Sequence, residues 1–284
     1  MSSILIETNN NIISFPENTP RNIKLPFGEI NKDLVKENQI SNSFESRLNI
    51  IKSLIKDYYV NFDIYDIKRR IGEESNDGMV FLAECNGKTY ALKKNHDNET
   101  ILIEFFICKF LNSMYDSENI VRTFGWTVDH STGTYYCIFE FLPGETVSSK
   151  LENNLGKNII LYYMKKFDYN NYLFYKKFKN LLIDHNCEKL KESYQSLRFV
   201  VRLINLNLGF KHGGIHGNNI MVSNNKFVLF DFSKSSVIYN DIHIYGRRLY
   251  DNNDQYRLTD TFEYYDFETE VRDMFIDSYY KHKF

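Results

Sequence analysis

Residues Phe210–Ser233 read F-K-H-G-G-I-H-G-N-N-I-M-V-S-N-N-K-F-V-L-F-D-F-S, and this stretch decides the fold. Two short apolar runs, Ile220–Val222 and Phe227–Phe230, are strand candidates separated by a polar turn. A short hairpin of this kind holds Asn219 and Asp231 on facing strands. Hard divalent cations take oxygen ligands of those two types, an amide and a carboxylate. Immediately upstream, Leu190, Tyr194, Leu197, Val201, Ile204 and Leu208 recur by fours and threes. That spacing predicts one apolar face of a long helix, ending near Gly209. An isolated Asp-Phe-Ser would carry no information. The same tripeptide after a long amphipathic helix and a hairpin carries much more.

The stretch resembles the catalytic loop and metal-binding strand of the protein-kinase-like superfamily, written H-R-D-L-x-x-x-x-N and then D-F-G. His212 stands at the histidine, Asn219 at the metal-binding asparagine, and Asp231 with Phe232 at the D-F pair. The resemblance implies that ATP binds with Mg²⁺ or Mn²⁺, with Asn219 and Asp231 as metal ligands.

Working outward toward the N-terminus, Met79–Cys85 and Lys88–Lys94 flank Asn86-Gly87. Asn-Gly between two strand-like runs is a strong hairpin signal, because both turn residues must adopt positive φ. A helix is expected from about Glu99 to Met114, then strands at Ile120–Val128 and Thr134–Phe141. Tyr90-Ala91-Leu92-Lys93 resembles the V-A-I-K strand whose lysine holds the α- and β-phosphates. Lys94 is the rival, but strand alternation puts Lys93 on the face of Ala91. The lysine's partner on the following helix would be Glu104, which shares a face with Ile107, Cys108 and Leu111; Glu99 is the second choice.

Ile138–Gly144 resembles the hinge between the two kinase lobes. By that resemblance, backbone groups near Glu140 to Leu142 bond the adenine edge and Phe139 walls the pocket. The segment Ile71-Gly72-Glu-Glu-Ser-Asn-Asp-Gly78-Met-Val80 keeps the first and last glycines of a phosphate-covering loop. Its middle glycine is missing and its spacing is one residue longer. Glu73, Glu74 and Asp77 add negative charge beside the expected phosphates.

Three departures from the family pattern bear on function. Gly214 replaces the aspartate that accepts the substrate hydroxyl proton, a role no glycine can serve. Gly213 replaces the adjacent arginine. Asp241-Ile-His-Ile-Tyr-Gly246 resembles the start of a buried anchoring helix, which would leave almost no activation segment after Asp231. His216 stands two residues beyond Gly214. It is either a substitute base or γ-phosphate contact, or a loop histidine bonded to backbone.

Composition limits the alternatives. Net charge is −2, so no overall basic field for nucleic acid exists. Lys165, Lys166, Lys176, Lys177 and Lys179 cluster among aromatics, and a solvated helix face is the simpler reading. Cys85, Cys108, Cys137 and Cys187 form no C-x-x-C pair and read as reduced, buried thiols of an intracellular protein. No window approaches the apolar length of a membrane span, and the N-terminus lacks a signal-peptide pattern.

The expectation is therefore an α+β, two-lobed protein-kinase-like fold. Residues 1–43 form a polar tail and residues 44–142 a small antiparallel sheet lobe with one helix. Residues 143–284 form a mainly helical lobe. The implied function is an atypical kinase acting on a protein or small hydroxylated molecule in the cytoplasm of its own or a host cell. The alternative is a pseudokinase that serves as a protein-binding module.

Overall fold

A computed structural model describes residues 3–8, 11–16, 43–75, 78–97, 99–150, 187–239, 242–250, 254 and 257–258. The chain is α+β. Strands β1 (Ser3–Thr8) and β2 (Asn11–Pro16) pair as an antiparallel hairpin. Helix α1 (Phe44–Ile55) opens on Ser43, whose side chain accepts the Ser46 N–H. This serine cap satisfies one of the donors that a helix start leaves unpaired. Phe44, Leu48, Ile51 and Ile55 lie buried along one face of the helix.

The main sheet has five antiparallel strands in the order β3-β4-β5-β7-β6. They are β3 (Asp66–Ser75), β4 (Gly78–Cys85), β5 (Lys88–Lys94), β6 (Thr123–Asp129) and β7 (Thr134–Glu140). Asn86 and Gly87 turn β4 into β5 with φ of 50° and 71°, the geometry that Asn-Gly supplies. β3 adds a fifth strand to the four the sequence predicts. Ser75 pairs with Gly78 at the far end of the β3–β4 hairpin, with a register shift after Ile71.

Helix α2 (Thr100–Met114) lies between this sheet and α1. Covered on both sides, it buries Ile101 to Cys108 without interruption. The core continues from α1 and α2 through Ile120 and Val121 to helix α3 (Cys187–Leu208). The predicted apolar stripe of α3 is buried at Leu190, Tyr194, Leu197, Val201 and Ile204. It packs against β10 (Lys226–Leu229), which forms a small sheet with β9 (Ile220–Ser223) and β8 (Glu145–Thr146). Beyond residue 143 the described chain thus holds one long helix and several short strands.

One expectation is overturned here. The segment after Asp241 does not begin a helix. Ile242–Tyr245 is a strand, β12, paired antiparallel with β11 (Ser236–Tyr239). Its alternating Ile-His-Ile-Tyr pattern suits a strand, with Ile244 buried in the core. The chain after Asp231 therefore enters a β-hairpin. The lysine cluster at 165–179, Cys187's side chain and most of the C-terminal segment lie outside the described residues.

Candidate functional site

Three charged side chains from three elements meet beneath the main sheet. Lys93 sits near the end of β5, opposite Val80 on β4 and Cys137 on β7. Its neighbour Leu92 points into the apolar cluster on the other face, with Ala83, Tyr136 and Ile138. Alternation therefore turns Lys93 toward α2. The Lys93 Nζ donates to Glu104 Oε1 at 2.8 Å and to Asp231 Oδ1 at 2.6 Å. Lys94 instead lies over the Phe81 ring, 5.8 Å from its centroid, and Glu99 pairs with Lys52.

Glu104 is fully buried on an otherwise apolar stretch of α2. An isolated carboxylate there would be costly, so the pairing with Lys93 is what permits it. Glu104 Oε1 also accepts the Phe232 backbone N–H at 3.1 Å, while Oε2 is buried without a partner. Burial pushes this carboxyl up to about 7, against the opposing pull of Lys93 and with added push from Asp231. Asp231 moves the other way. Burial alone would raise it, but Lys93 and the Ser233 hydroxyl hold it well below the ordinary carboxylate range. For Lys93, burial favours the neutral amine, and the two carboxylates outweigh that and keep it charged.

Asp231 has φ of +63°, a left-handed conformation that aspartate tolerates better than most residues. This turn aims its carboxylate at Lys93 and sends Phe232 into the core. There the Phe232 ring packs 5.1 Å from the His212 ring and 6.2 Å from Phe210. Ser233 closes the turn, its Oγ donating to Asp231 Oδ1 at 2.7 Å.

The 210–219 loop is fixed from below. His212 is wholly buried, and its Nε2 lies 3.0 Å from the Phe230 carbonyl, which can only accept. Nδ1 accepts the Gly214 N–H at 3.3 Å. Those two bonds define a neutral ring, in agreement with burial driving its pKa down to about 4. Gly213 has φ of +74°, and a Cβ there would collide with the Lys234 carbonyl oxygen. Glycine at this position is thus a steric requirement of this loop. Asp254, which the sequence reading passed over, accepts the backbone N–H groups of His212 at 2.5 Å and Gly213 at 3.2 Å. Only its helical spacing from Leu258 marks it in the sequence, too weak a signal to find it.

Asn219 ends a 3₁₀ turn, Gly217–Asn219, just before β9. Its Nδ2 donates to the Gly214 carbonyl at 2.9 Å and lies 3.3 Å from His216 Nε2. The Phe230 N–H donates to the Asn219 carbonyl at 3.1 Å, so Asn219 and Asp231 flank the β9–β10 hairpin side by side. Asp231 Oδ2 and Asn219 Oδ1 accept no hydrogen bond from the described residues. No group of three or more His, Cys, Asp or Glu side chains converges among the described residues. Two hard oxygen donors fit a cation such as Mg²⁺, which usually keeps its remaining positions for water and phosphate.

The remaining predicted residues are more dispersed. Glu140 ends β7, where its N–H donates to the Arg122 carbonyl at 3.0 Å and its Oε1 accepts the Arg122 N–H at 2.7 Å. Its N–H is therefore already used. Leu142 is half-buried against the core. Gly72 is exposed with φ of +72°, and Gly78 is buried, where a Cβ would strike the Lys94 carbonyl. A cavity of about 460 Å³ lies elsewhere, lined by Glu118, Asn119, Glu192, Ser193 and Lys226. It shares no residue with the buried charge cluster.

No protein-family model matches this chain, and no curated protein sequence matches it either. The described residues contain no helix long and apolar enough to cross a membrane.

Proposed function

We propose that this chain is a two-lobed, protein-kinase-like module that binds ATP together with Mg²⁺ or Mn²⁺. The observation that carries the reading is the buried Lys93–Glu104–Asp231 cluster, with Asn219 one backbone hydrogen bond away. A lysine held charged by two carboxylates is a poor stabilising device, since a well-packed apolar core would serve as well. It makes sense as a site that exchanges one carboxylate for phosphate. Lys93 would release Asp231 and hold phosphate oxygens, while Glu104 keeps the ammonium in place. Asp231 and Asn219 would hold the cation, whose charge offsets that of the phosphates. Backbone groups beyond Glu140 would meet the adenine.

A second reading is favoured by Gly214: a nucleotide-binding pseudokinase that acts by binding a protein partner. The fold requires glycine at 213, so that departure says nothing about activity. Gly214 has an ordinary backbone conformation and open surroundings, so its lack of a carboxylate is not imposed by the fold. Phosphoryl transfer depends mainly on positioning and electrostatics, so slow transfer survives loss of a base.

Thermal unfolding with millimolar ATP and Mg²⁺ tests the reading. Nucleotide at ~100 times its Kd stabilises by about 2.7 kcal/mol, a shift of several degrees. A folded protein whose melting temperature does not move would exclude it.

A further inference from the structure

We propose that Arg47 on α1 is a positioning residue for the nucleotide site. It holds the helix that carries Glu104 and the turn that carries Asp231 at the spacing that metal-bound nucleotide requires. This role rests on the nucleotide reading above and goes beyond it, because Arg47 lies outside every segment that resembles a kinase motif.

Arg47 is buried, which is rare for an arginine. Its Nε donates to the Tyr245 carbonyl at 3.0 Å and its Nη2 to the Gly246 carbonyl at 2.9 Å. Two bonds from one planar guanidinium fix the end of β12 in position and in orientation. Gly246 is buried at the meeting point of the two elements that carry the site's carboxylates. A Cβ on Gly246 would lie 3.8 Å from Thr100 Cγ2, at the start of α2, and 3.5 Å from the Ser233 carbonyl oxygen. Glu104 follows Thr100 by about one helical turn. Ser233 closes the Asp231 turn through its bond to Asp231 Oδ1. Arg247, next in the chain, pairs with Asp97, whose Oδ2 accepts the Thr100 hydroxyl at 2.7 Å. The backbone that Arg47 holds therefore packs against both carboxylate carriers.

Arg47 matters most once nucleotide is bound. In the free protein Lys93 ties Glu104 to Asp231 directly, at 2.8 Å and 2.6 Å. When Asp231 leaves Lys93 for the cation, that tie is gone. The bond from the Phe232 N–H to Glu104 Oε1 remains, and so does the packing through Gly246. A ligating constellation must be held within about 0.5 Å of its working geometry by the residues behind it. Loss of Arg47 would take two donors from the backbone at Tyr245 and Gly246 and let the Asp231 turn shift against α2. Asp231 would then move relative to phosphate held by Lys93. The loss falls on the metal-dependent part of binding, because Asp231 serves the cation.

The test is calorimetric titration of ATP, with Mg²⁺ and with chelator, at a temperature where each protein is fully folded. Wild type should bind Mg²⁺·ATP more tightly than free ATP. Arg47→Ala should bind Mg²⁺·ATP about 10-fold more weakly than wild type, within the usual range of coupling between sites, and free ATP equally well. Arg47→Lys keeps the charge but not the paired geometry, so it should fall between the two; it carries the test if the alanine variant does not fold. Leu190→Ala, a core truncation on α3, should lose stability and keep the wild-type ratio of the two affinities. Folded Arg47 variants that keep the wild-type ratio would overturn the proposal, as would the same loss of ratio in Leu190→Ala. A folded wild type that binds neither form, or both equally, would overturn the reading of a nucleotide and metal site, and this proposal with it.

Discussion

At the residue scale, the two buried carboxyls of the cluster titrate in opposite directions. Glu104 has a raised pKa in the fold, so the folded state holds a proton that the unfolded chain has released between 4.5 and about 7. Stability from this residue is therefore present at low pH and lost as pH rises through that window. His212 acts in the opposite sense, because its depressed pKa loses stability as pH falls from 6.5 to about 4. A difference measurement separates them. Wild type should lose stability relative to Glu104→Gln between pH 4.5 and 7, with no further divergence from pH 7 to 9. Denaturant unfolding of both proteins across that range checks it, and parallel curves would contradict the assignment. Gly214→Asp should fold, because a Cβ there meets only ordinary contacts of 3.5–3.8 Å. In a transfer assay at saturating ATP it should gain about 10-fold. That is less than the roughly 10²–10⁴ of a fully positioned base, because Lys234 lies alongside. The gain should vanish with Lys93→Ala. A wild type faster than the aspartate variant would point to another base, with His216 the first to replace. Lys93 and Glu104 could be placed from strand alternation and helix spacing. The need for glycine at 213 could not, because it depends on a carbonyl from residue 234.

Among the elements, α1 connects the N-terminal side of the fold to the chain that follows Asp231. Arg47 is buried, and it donates to the Tyr245 carbonyl at 3.0 Å and the Gly246 carbonyl at 2.9 Å. Its guanidinium also stacks 3.6 Å above the Tyr245 ring. Arg247 then pairs with Asp97, whose Oδ2 accepts the Thr100 hydroxyl at the start of α2. The β11–β12 hairpin is thus latched to the helix that carries Glu104. Arg47→Ala would leave two carbonyls without their donor and should cost about 1–3 kcal/mol, measured by denaturant unfolding. A loss under 0.5 kcal/mol would mean the latch contributes little. The apolar repeat from Leu190 to Leu208 located α3, and the apolar run from Glu99 to Met114 located α2. The family resemblance misread β12, because an Ile-His-Ile-Tyr run beside a glycine fits the start of an anchoring helix and a strand equally well. Pairing with β11, a tertiary contact, decides between them.

For the whole molecule, the apolar core is continuous from α1 through α2 to α3, β9 and β10. The charge cluster joins the sheet side to the hairpin side at one point, through Lys93 on β5 and Asp231 after β10. Ligand bound there would bridge both parts of the chain. The antiparallel sheet was legible from Asn86-Gly87 and the flanking apolar runs. Its fifth strand was not, because Asp66–Ser75 is largely polar with Arg69 and Arg70 exposed. The most direct test is calorimetric titration of ATP, with Mg²⁺ and with chelator, into wild type and Asp231→Ala. Wild type should bind Mg²⁺·ATP more tightly than free ATP. Asp231→Ala should fold and bind ATP with the metal dependence gone. Absence of ATP binding to folded wild type, or an Asp231→Ala variant with unchanged metal dependence, would contradict the site.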